Sequence, residues 1–190
     1  MKNNTDRCRW VNPDNPLYVA YHDNEWGVPL HDDTKLFELL ILETFQAGLS
    51  WECVLNKREA FRMAFDGFDA QIIANYSDEK ISHLMKDTSI IRHQLKIKAA
   101  IQNSRAFIAL QKEYGSFDKF LWSFTEGKTI CEPYSQRTTS ELSDKISLTL
   151  KKKGFSFVGS TTIYSLLQAC GVIYGHGCEC FKFINKNKSR

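Results

Sequence analysis

Apolar residues recur at helical spacing along most of the chain, and the strongest run is LFELLILETFQAGLSW, Leu36 to Trp51. Asp32, Asp33 and Thr34 offer N-cap side chains ahead of it, and Gly48 breaks it. Counting from Leu36 through Leu39 and Leu40 reaches Glu43, so a carboxylate falls on the inward stripe. A buried ionised carboxylate is costly without a basic partner or a cationic ligand. On spacing alone the plainer reading is that Glu43 sits at the edge of the stripe and meets water or a surface lysine. Ser50 is placed to cap a second helix from Trp51 to about Phe65, with Val54, Leu55, Phe61 and Phe65 on its apolar face. The corner Ala47-Gly48-Leu49-Ser50 presents Leu49 either as a core plug, the commoner outcome, or as an exposed wedge.

Asp69 and Ser77 introduce short helices over Ala70 to Asn75 and Asp78 to Lys86, and a long helix runs from Ile90 to a stop at Gly115. Arg92, His93, Lys96 and Lys98 gather at its start; a solvated basic face is the expectation, and a phosphate contact is the sharper alternative. Ser116 caps FDKFLWSF, after which Thr125 to Thr139 lacks periodicity, includes Pro133, and reads as a surface loop. Ser140 starts SELSDKISLTLKKKG and Ser160 starts TTIYSLLQACG, which predicts a helical hairpin over about residues 141–171. Its turn, flanked by Gly154 and Gly159 beside Lys151, Lys152 and Lys153, can point backbone N–H groups outward as an anion site. The predicted class is all-α, with residues 1–190 forming one domain. The first thirty residues concentrate Cys8, Trp10, Tyr18, Tyr21, His22, Asp23 and Trp26, but Pro13, Pro16, Gly27 and Pro29 confine any helix there to a short piece. Aromatics of this kind more often floor a core than line a site.

Composition narrows the class without naming a chemistry. At 43% hydrophobic and 25% charged the chain can bury a sizeable core, and a net charge of +3 permits an anionic partner without requiring one. No run approaches a membrane span, and the start MKNNTDRCRW lacks the apolar stretch of an export signal, so a cytoplasmic protein with no membrane association is expected. Six cysteines in such a chain read as thiols or metal ligands rather than as a disulfide framework. Cys8 and His22 near the start, with His176, Cys178 and Cys180 near the end, offer five candidate ligands for the four places of a tetrahedral zinc. A site filled by four side chains has no open position for water, so such a zinc would be structural, stapling segments 1–30 and 174–182 together.

Several stretches together resemble the bacterial 3-methyladenine DNA glycosylase I family. They are Cys8-Arg9-Trp10, PLYVAYHDNEWGVP from Pro16, LFELLILE ending at Glu43, QAGLSW from Gln46, IIRH from Ile90, FLWSF from Phe120, KKKGFSFVGSTTIYSLLQACG from Lys151, and the closing His176 and Cys180. The resemblance spans nearly the whole chain and implies a helix-hairpin-helix glycosylase with one structural Zn2+ joining the two termini. Carried over residue by residue, the zinc ligands fall on Cys8, His22, His176 and Cys180, which selects Cys180 over Cys178. The base-binding carboxylate falls on Glu43, and the aromatic walls on Tyr21 and Trp51, with Trp10 and Tyr18 beside them. The wedge falls on Gly48 and Leu49, and the phosphate-binding turn on Lys153 and Gly154 to Gly159. Phe45 stands where the family often carries a polar residue, which implies altered pocket selectivity or DNA contacts.

The implied activity is hydrolysis of the N-glycosidic bond of 3-methyladenine in alkylated double-stranded DNA by a monomer that flips the base and releases it free. No lysine lies between Lys153 and Lys182, and no Asp or Glu between Lys153 and Glu179, where related glycosylases place a catalytic aspartate or a nucleophilic lysine. A monofunctional enzyme without lyase activity is therefore expected. A damage recogniser that has lost catalysis through Phe45, and a zinc hydrolase, are the competing readings; the closed ligand set disfavours the second.

Overall fold

The computed structural model describes residues 6–132 and 137–183; residues 1–5, 133–136 and 184–190, Pro133 and the first part of the N-terminal segment among them, lie outside the described part. The helix α2, Asp33–Gln46, is the axis of the molecule. The Asp32 side chain accepts from the Lys35 amide to begin it, and every residue from Leu36 to Phe45 is buried. Such a helix is surrounded by others rather than half covered, which explains its apolar sequence on more than one face.

Two carboxylates on α2 fix its neighbours. Asp33 accepts from the Gln111 amide at 2.7 Å and from the backbone N–H groups of Phe117 and Asp118 at 2.9 and 2.8 Å. One side chain thereby joins α2 to α7 (Gln94–Tyr114) and serves the first amides of α8 (Phe117–Ser123). Glu38, also buried, takes Arg58 at 2.5 Å and Arg62 at 2.8 Å. This pins α4 (Arg58–Ala64) and compensates the burial of the charge.

The N-terminal arm carries α1 (Pro16–Asn24), with the Asn15 side chain accepting from Leu17 and Tyr18 amides and proline in the first turn. Asn12 and Asn15 both donate to Glu52 Oε1 at 2.8 Å, tying the arm to α3 (Trp51–Leu55). At its far end the arm lies on α10 (Ser160–Ala169), where the Gly27 amide donates to Gln168 O and the Leu30 amide to Cys170 O, each at 3.0 Å. Gly171 permits this approach: its φ is +75°, and a Cβ there would meet Pro29 N at 2.4 Å.

The helices expected over Ala70 to Asn75 and Asp78 to Lys86 form as α5 (Ala70–Ile73) and α6 (Asp78–Lys86), whereas other boundaries differ from the sequence reading. The helix expected from Trp51 to Phe65 is two, α3 and α4, separated at Asn56 and Lys57. The long helix begins at Gln94 rather than Ile90, because His93 is its N-cap, accepting from the Lys96 amide. Ser160 does not cap its helix: Gly159 is the N-cap, and the Ser160 hydroxyl instead meets Ser143 at 2.8 Å. Ser143 belongs to the capping box that starts α9 (Glu141–Lys152). The all-α expectation needs one addition. Ile130–Cys131 (β1), inside the expected loop, pairs in parallel with Ile173–Tyr174 (β2), too short a ladder to show a period in the sequence. No helix among the described residues is long and apolar enough to cross a membrane.

Candidate active site and metal centre

A cleft of about 210 Å³ opens beside the C-terminal half of α2, lined by Trp10, Tyr18, Tyr21, Trp26, Glu43, Gln46, Trp51, Ser165 and Gln168. The five pocket residues expected from sequence therefore meet here. The Tyr21 and Trp51 rings lie 5.2 Å apart, and Trp10 lies 5.3 Å from Tyr18 and 5.0 Å from Trp26. Glu52 holds α1 against α3 and so sets the Tyr21–Trp51 pairing from behind.

Glu43 sits in this aromatic enclosure only 4% exposed, not at the edge of a stripe. Among the described residues no side chain donates a hydrogen bond to it, in contrast to Glu38 one and a half turns earlier with its two arginines. Burial alone pushes its carboxyl up to about 8. Nearby Tyr18 is driven up to about 12 by burial, then by Glu52 and Glu43, and Tyr21 rises well above its ordinary value for the same first reason. Both phenols stay neutral through the physiological range, which leaves Glu43 as the titrating group of the cleft. The indole Nε1 of Trp51 is buried without an acceptor among the described residues. An uncompensated carboxylate among electron-rich rings favours a flat, cationic guest that can donate hydrogen bonds.

Leu49 is 43% exposed, so it is not a core plug. Gly48 turns the chain with φ +83°, a conformation that strains residues with a Cβ. Phe45 is fully buried against Phe61 and Phe65, at ring distances of 4.7 and 5.7 Å, and does not line the cleft, so any effect it has on selectivity is exerted through packing. Lys96 corrects an expectation, since it is buried rather than on a solvated face, its Nζ donating to Phe45 O at 2.8 Å and Ala47 O at 2.6 Å. At the turn between α9 and α10, Gly154 is exposed, Gly159 is half-buried, and Lys153 pairs with Glu113 at 2.6 Å. Lys151 and Lys152 are exposed and carry no ion pair among the described residues.

Cys8, His22, His176 and Cys180 come together from both ends of the chain, all buried, with their ligand atoms within 4.8 Å of one another. Cys180 Sγ stands 3.4 Å from both His22 Nε2 and His176 Nδ1, and Cys8 Sγ stands 3.6 Å from His176 Nδ1. Sulfur and nitrogen ligands on a tetrahedral zinc lie about 3.5 Å apart, given the usual bond lengths. The donor set fits the ion. Cys178 is exposed and outside the cluster. His22 Nδ1 meets Asp23 at 2.8 Å, and Asp23 in turn takes Arg7 at 2.6 Å, an arrangement that orients a ligating imidazole. Arg7, then His22, hold the Asp23 carboxyl down at about 2 against the opposing effect of burial. Burial lowers His176 to about 4 and raises Cys8 to about 12, so the imidazole is neutral and ready to ligate, while a thiolate here calls for a cation. The centre also backs the cleft: Trp26 packs 4.7 Å from His176, and Trp10 5.3 Å from His22.

Sequence reasoning did not place Gln46, Ser165 and Gln168 in the site, and it left Trp26 between a chemically capable arm and a core floor. Polar residues at i and i+3 in the otherwise apolar second half of α10 are the signal that marks Ser165 and Gln168. None of the side chains of Gln46, Ser165 and Gln168 has a hydrogen-bond partner among the described residues, so their polar groups remain available to a guest.

Residues 10–183 match the model of a family described as methyladenine glycosylase. The chain is 46% identical over 185 residues to the DNA-3-methyladenine glycosylase 1 of Escherichia coli K12, covering 93% of this chain and 97% of that protein. It is similar to a crystal structure of a 3-methyladenine DNA glycosylase I, with a TM-score of 0.90 at 46% identity over 94% of this chain and 100% of that one. A Staphylococcus aureus 3-methyladenine DNA glycosylase I, solved for the structural basis of 3-methyladenine recognition, superimposes with a TM-score of 0.88 at 35% identity, over 94% and 96% of the two chains. With its motifs in order from end to end and its cleft, corner and Cys/His cluster assembled, the chain belongs to the methyladenine glycosylase family.

Proposed function

We propose that the protein is a DNA repair glycosylase that hydrolyses the N-glycosidic bond of 3-methyladenine in alkylated double-stranded DNA and releases the free base. The single observation that carries the reading is the buried, uncompensated Glu43 enclosed by Tyr21, Trp51, Trp10 and Tyr18. N3-methyladenine in DNA is cationic, so it offers both the positive charge and the donor groups that such a carboxylate lacks. Unmodified adenine offers no charge. Desolvating ionised Glu43 against it goes uncompensated, and the site discriminates without touching the methyl group.

The guest must leave the helix to reach the cleft, at a cost of a few kcal/mol. Leu49 at the Gly48 corner is the apolar wedge that fills the vacated stack. The α9–turn–α10 unit serves as a helix-hairpin-helix grip, with the amides of Gly154 to Gly159 on phosphate and Lys151 to Lys153 supplying charge. When the C1′–N9 bond breaks, its electron pair neutralises the cationic purine, so no general acid has to protonate the leaving group. Water captures the sugar cation and loses a proton. Glu43 holds the base and stabilises its charge rather than attacking. Among the described residues the one buried lysine, Lys96, has its Nζ engaged by two carbonyls and does not line the cleft, in keeping with a monofunctional enzyme without lyase activity. Cys8, His22, His176 and Cys180 would hold one structural Zn2+, which contributes folding free energy and keeps the terminal segments behind the aromatic wall.

The test is chromatography of bases freed from methylated duplex DNA. Free 3-methyladenine with little 7-methylguanine is expected from the zinc-loaded protein, and absence of any freed base would overturn the reading.

A further inference from the structure

The long helix α7 is the only described element that donates side-chain hydrogen bonds to both the Leu49 corner and the Gly154–Gly159 turn. At one end Lys96, 5% exposed, donates to Phe45 O and Ala47 O at 2.8 and 2.6 Å. These carbonyls belong to the last turn of α2, where no intrahelical donor remains, and a cation there also favours the helix dipole. Gly48 and Leu49 follow directly. Seven residues later, two helical turns along the same face, Asn103 is fully buried and grips both backbone polar groups of one residue of the turn. Its Nδ2 donates to Ser156 O at 3.0 Å and its Oδ1 accepts from the Ser156 amide at 2.7 Å. Gln102 adds a bond from Nε2 to Gly154 O at 2.6 Å. The Ser156 contact spends a side chain on backbone groups that would otherwise be free to reorient.

Neither Lys96 nor Asn103 lines the cleft. We propose that Lys96 and Asn103 are positioning residues, and that α7 is a rigid strut, with about 10 Å between its two clamps, that fixes the wedge corner relative to the phosphate-gripping turn. The inference rests on reading Leu49 as the wedge and the turn as the phosphate grip. A strut of this kind lets backbone gripped at the turn serve as the reference against which Leu49 is driven into the stack. It predicts that the two clamps fail separately: loss of Lys96 loosens insertion without weakening the grip, and loss of Asn103 weakens the grip without preventing insertion.

The experiment uses the full-length, zinc-loaded protein and a duplex carrying an abasic-site analogue flanked by 2-aminopurine, whose fluorescence rises when its stacking is broken. Free 3-methyladenine binding, followed by tryptophan fluorescence, reports separately on the cleft. Lys96→Met is expected to cut the 2-aminopurine amplitude at saturating protein at least threefold while changing DNA Kd less than threefold. Lys96→Arg, which keeps a donor cation, restores at least half of that amplitude. Asn103→Ala is expected to raise DNA Kd about tenfold and keep the saturated amplitude, with Asn103→Asp, which can still accept from the Ser156 amide, in between. All four should bind free 3-methyladenine within twofold of the parent. Full amplitude with Lys96→Met, beside its loss in Leu49→Ala, overturns the Lys96 assignment and leaves the wedge standing. Full amplitude in Leu49→Ala removes the wedge and with it the proposal. Should Lys96→Met not fold, parental Kd in Asn103→Ala still overturns the strut.

Discussion

Two buried carboxylates stand five residues apart on α2, and their surroundings set their roles. Glu38 is compensated by Arg58 and Arg62 and holds helices together, whereas Glu43 has no donor and its carboxyl rises from 4.5 to about 8. Between those values the folded chain holds a proton that the unfolded chain lacks. The stability that comes from a neutral Glu43 is therefore complete below about 4.5 and is lost as the pH rises through about 8. Glu43→Gln, neutral throughout, should leave the Tm at pH 4 unchanged and raise it at pH 9 by about 3 °C or more in thermal denaturation. An equal shift at both pH values would mean that packing rather than charge burial distinguishes the variant. Helical periodicity was enough to put Glu43 on the inward stripe, but its lack of partners is a property of four converging helices and leaves no local trace. Lys96 shows the reverse failure: its basic neighbours suggest a solvated face, and only the open carbonyls of α2 explain why it turns inward.

At the scale of elements, the corner and the hairpin carry the expected DNA contacts. Leu49→Ala removes an exposed apolar tip and little else, so it should slow single-turnover excision from duplex about tenfold or more while leaving free 3-methyladenine binding within twofold. The lysines beside the turn differ among themselves. Lys151 and Lys152 stand free of ion pairs among the described residues, and replacing both with alanine should lower DNA affinity and flatten the log–log salt slope by about 1 to 2. Lys153 is already paired with Glu113, so Glu113→Gln should strengthen DNA binding severalfold at low salt, and unchanged affinity would remove Lys153 from the grip. Capping residues made α2, α6, α8 and α9 legible in the sequence, because Asp32, Ser77, Ser116 and Ser140 all form the expected cap bonds. The break between α3 and α4 was not legible, since Val54, Leu55, Phe61 and Phe65 keep a plausible stripe across it. Nor was the β1–β2 ladder, which spans two residues on each side.

For the molecule as a whole, the Cys/His cluster, with the zinc proposed for it, would also act as a brace, because Trp10 and Trp26 lie between it and the cleft. Removal of the proposed zinc with a chelator should lower the Tm by several degrees, expose Cys8 and Cys180 to thiol reagents, and change tryptophan fluorescence as the wall loosens. Stability and thiol protection that survive complete metal removal would show that the cluster folds without an ion. The ligand types were visible in the sequence, yet five candidates stood for four places; what separates Cys180 from Cys178 in the fold is that one is buried in the cluster and the other faces solvent. If the enclosed Glu43 reads the positive charge of the damaged base, as proposed, excision must follow the ionisation of that carboxyl. The N3-methylated nucleotide in DNA is cationic from pH 6 to about 8, while Tyr18 and Tyr21 stay neutral, so ionisation of Glu43 governs the profile. Single-turnover release of 3-methyladenine from duplex should rise from pH 6, level off above about 8, and become flat and at least about tenfold lower at pH 8 in Glu43→Gln. A flat parental profile with an equally active Glu43→Gln would contradict the account.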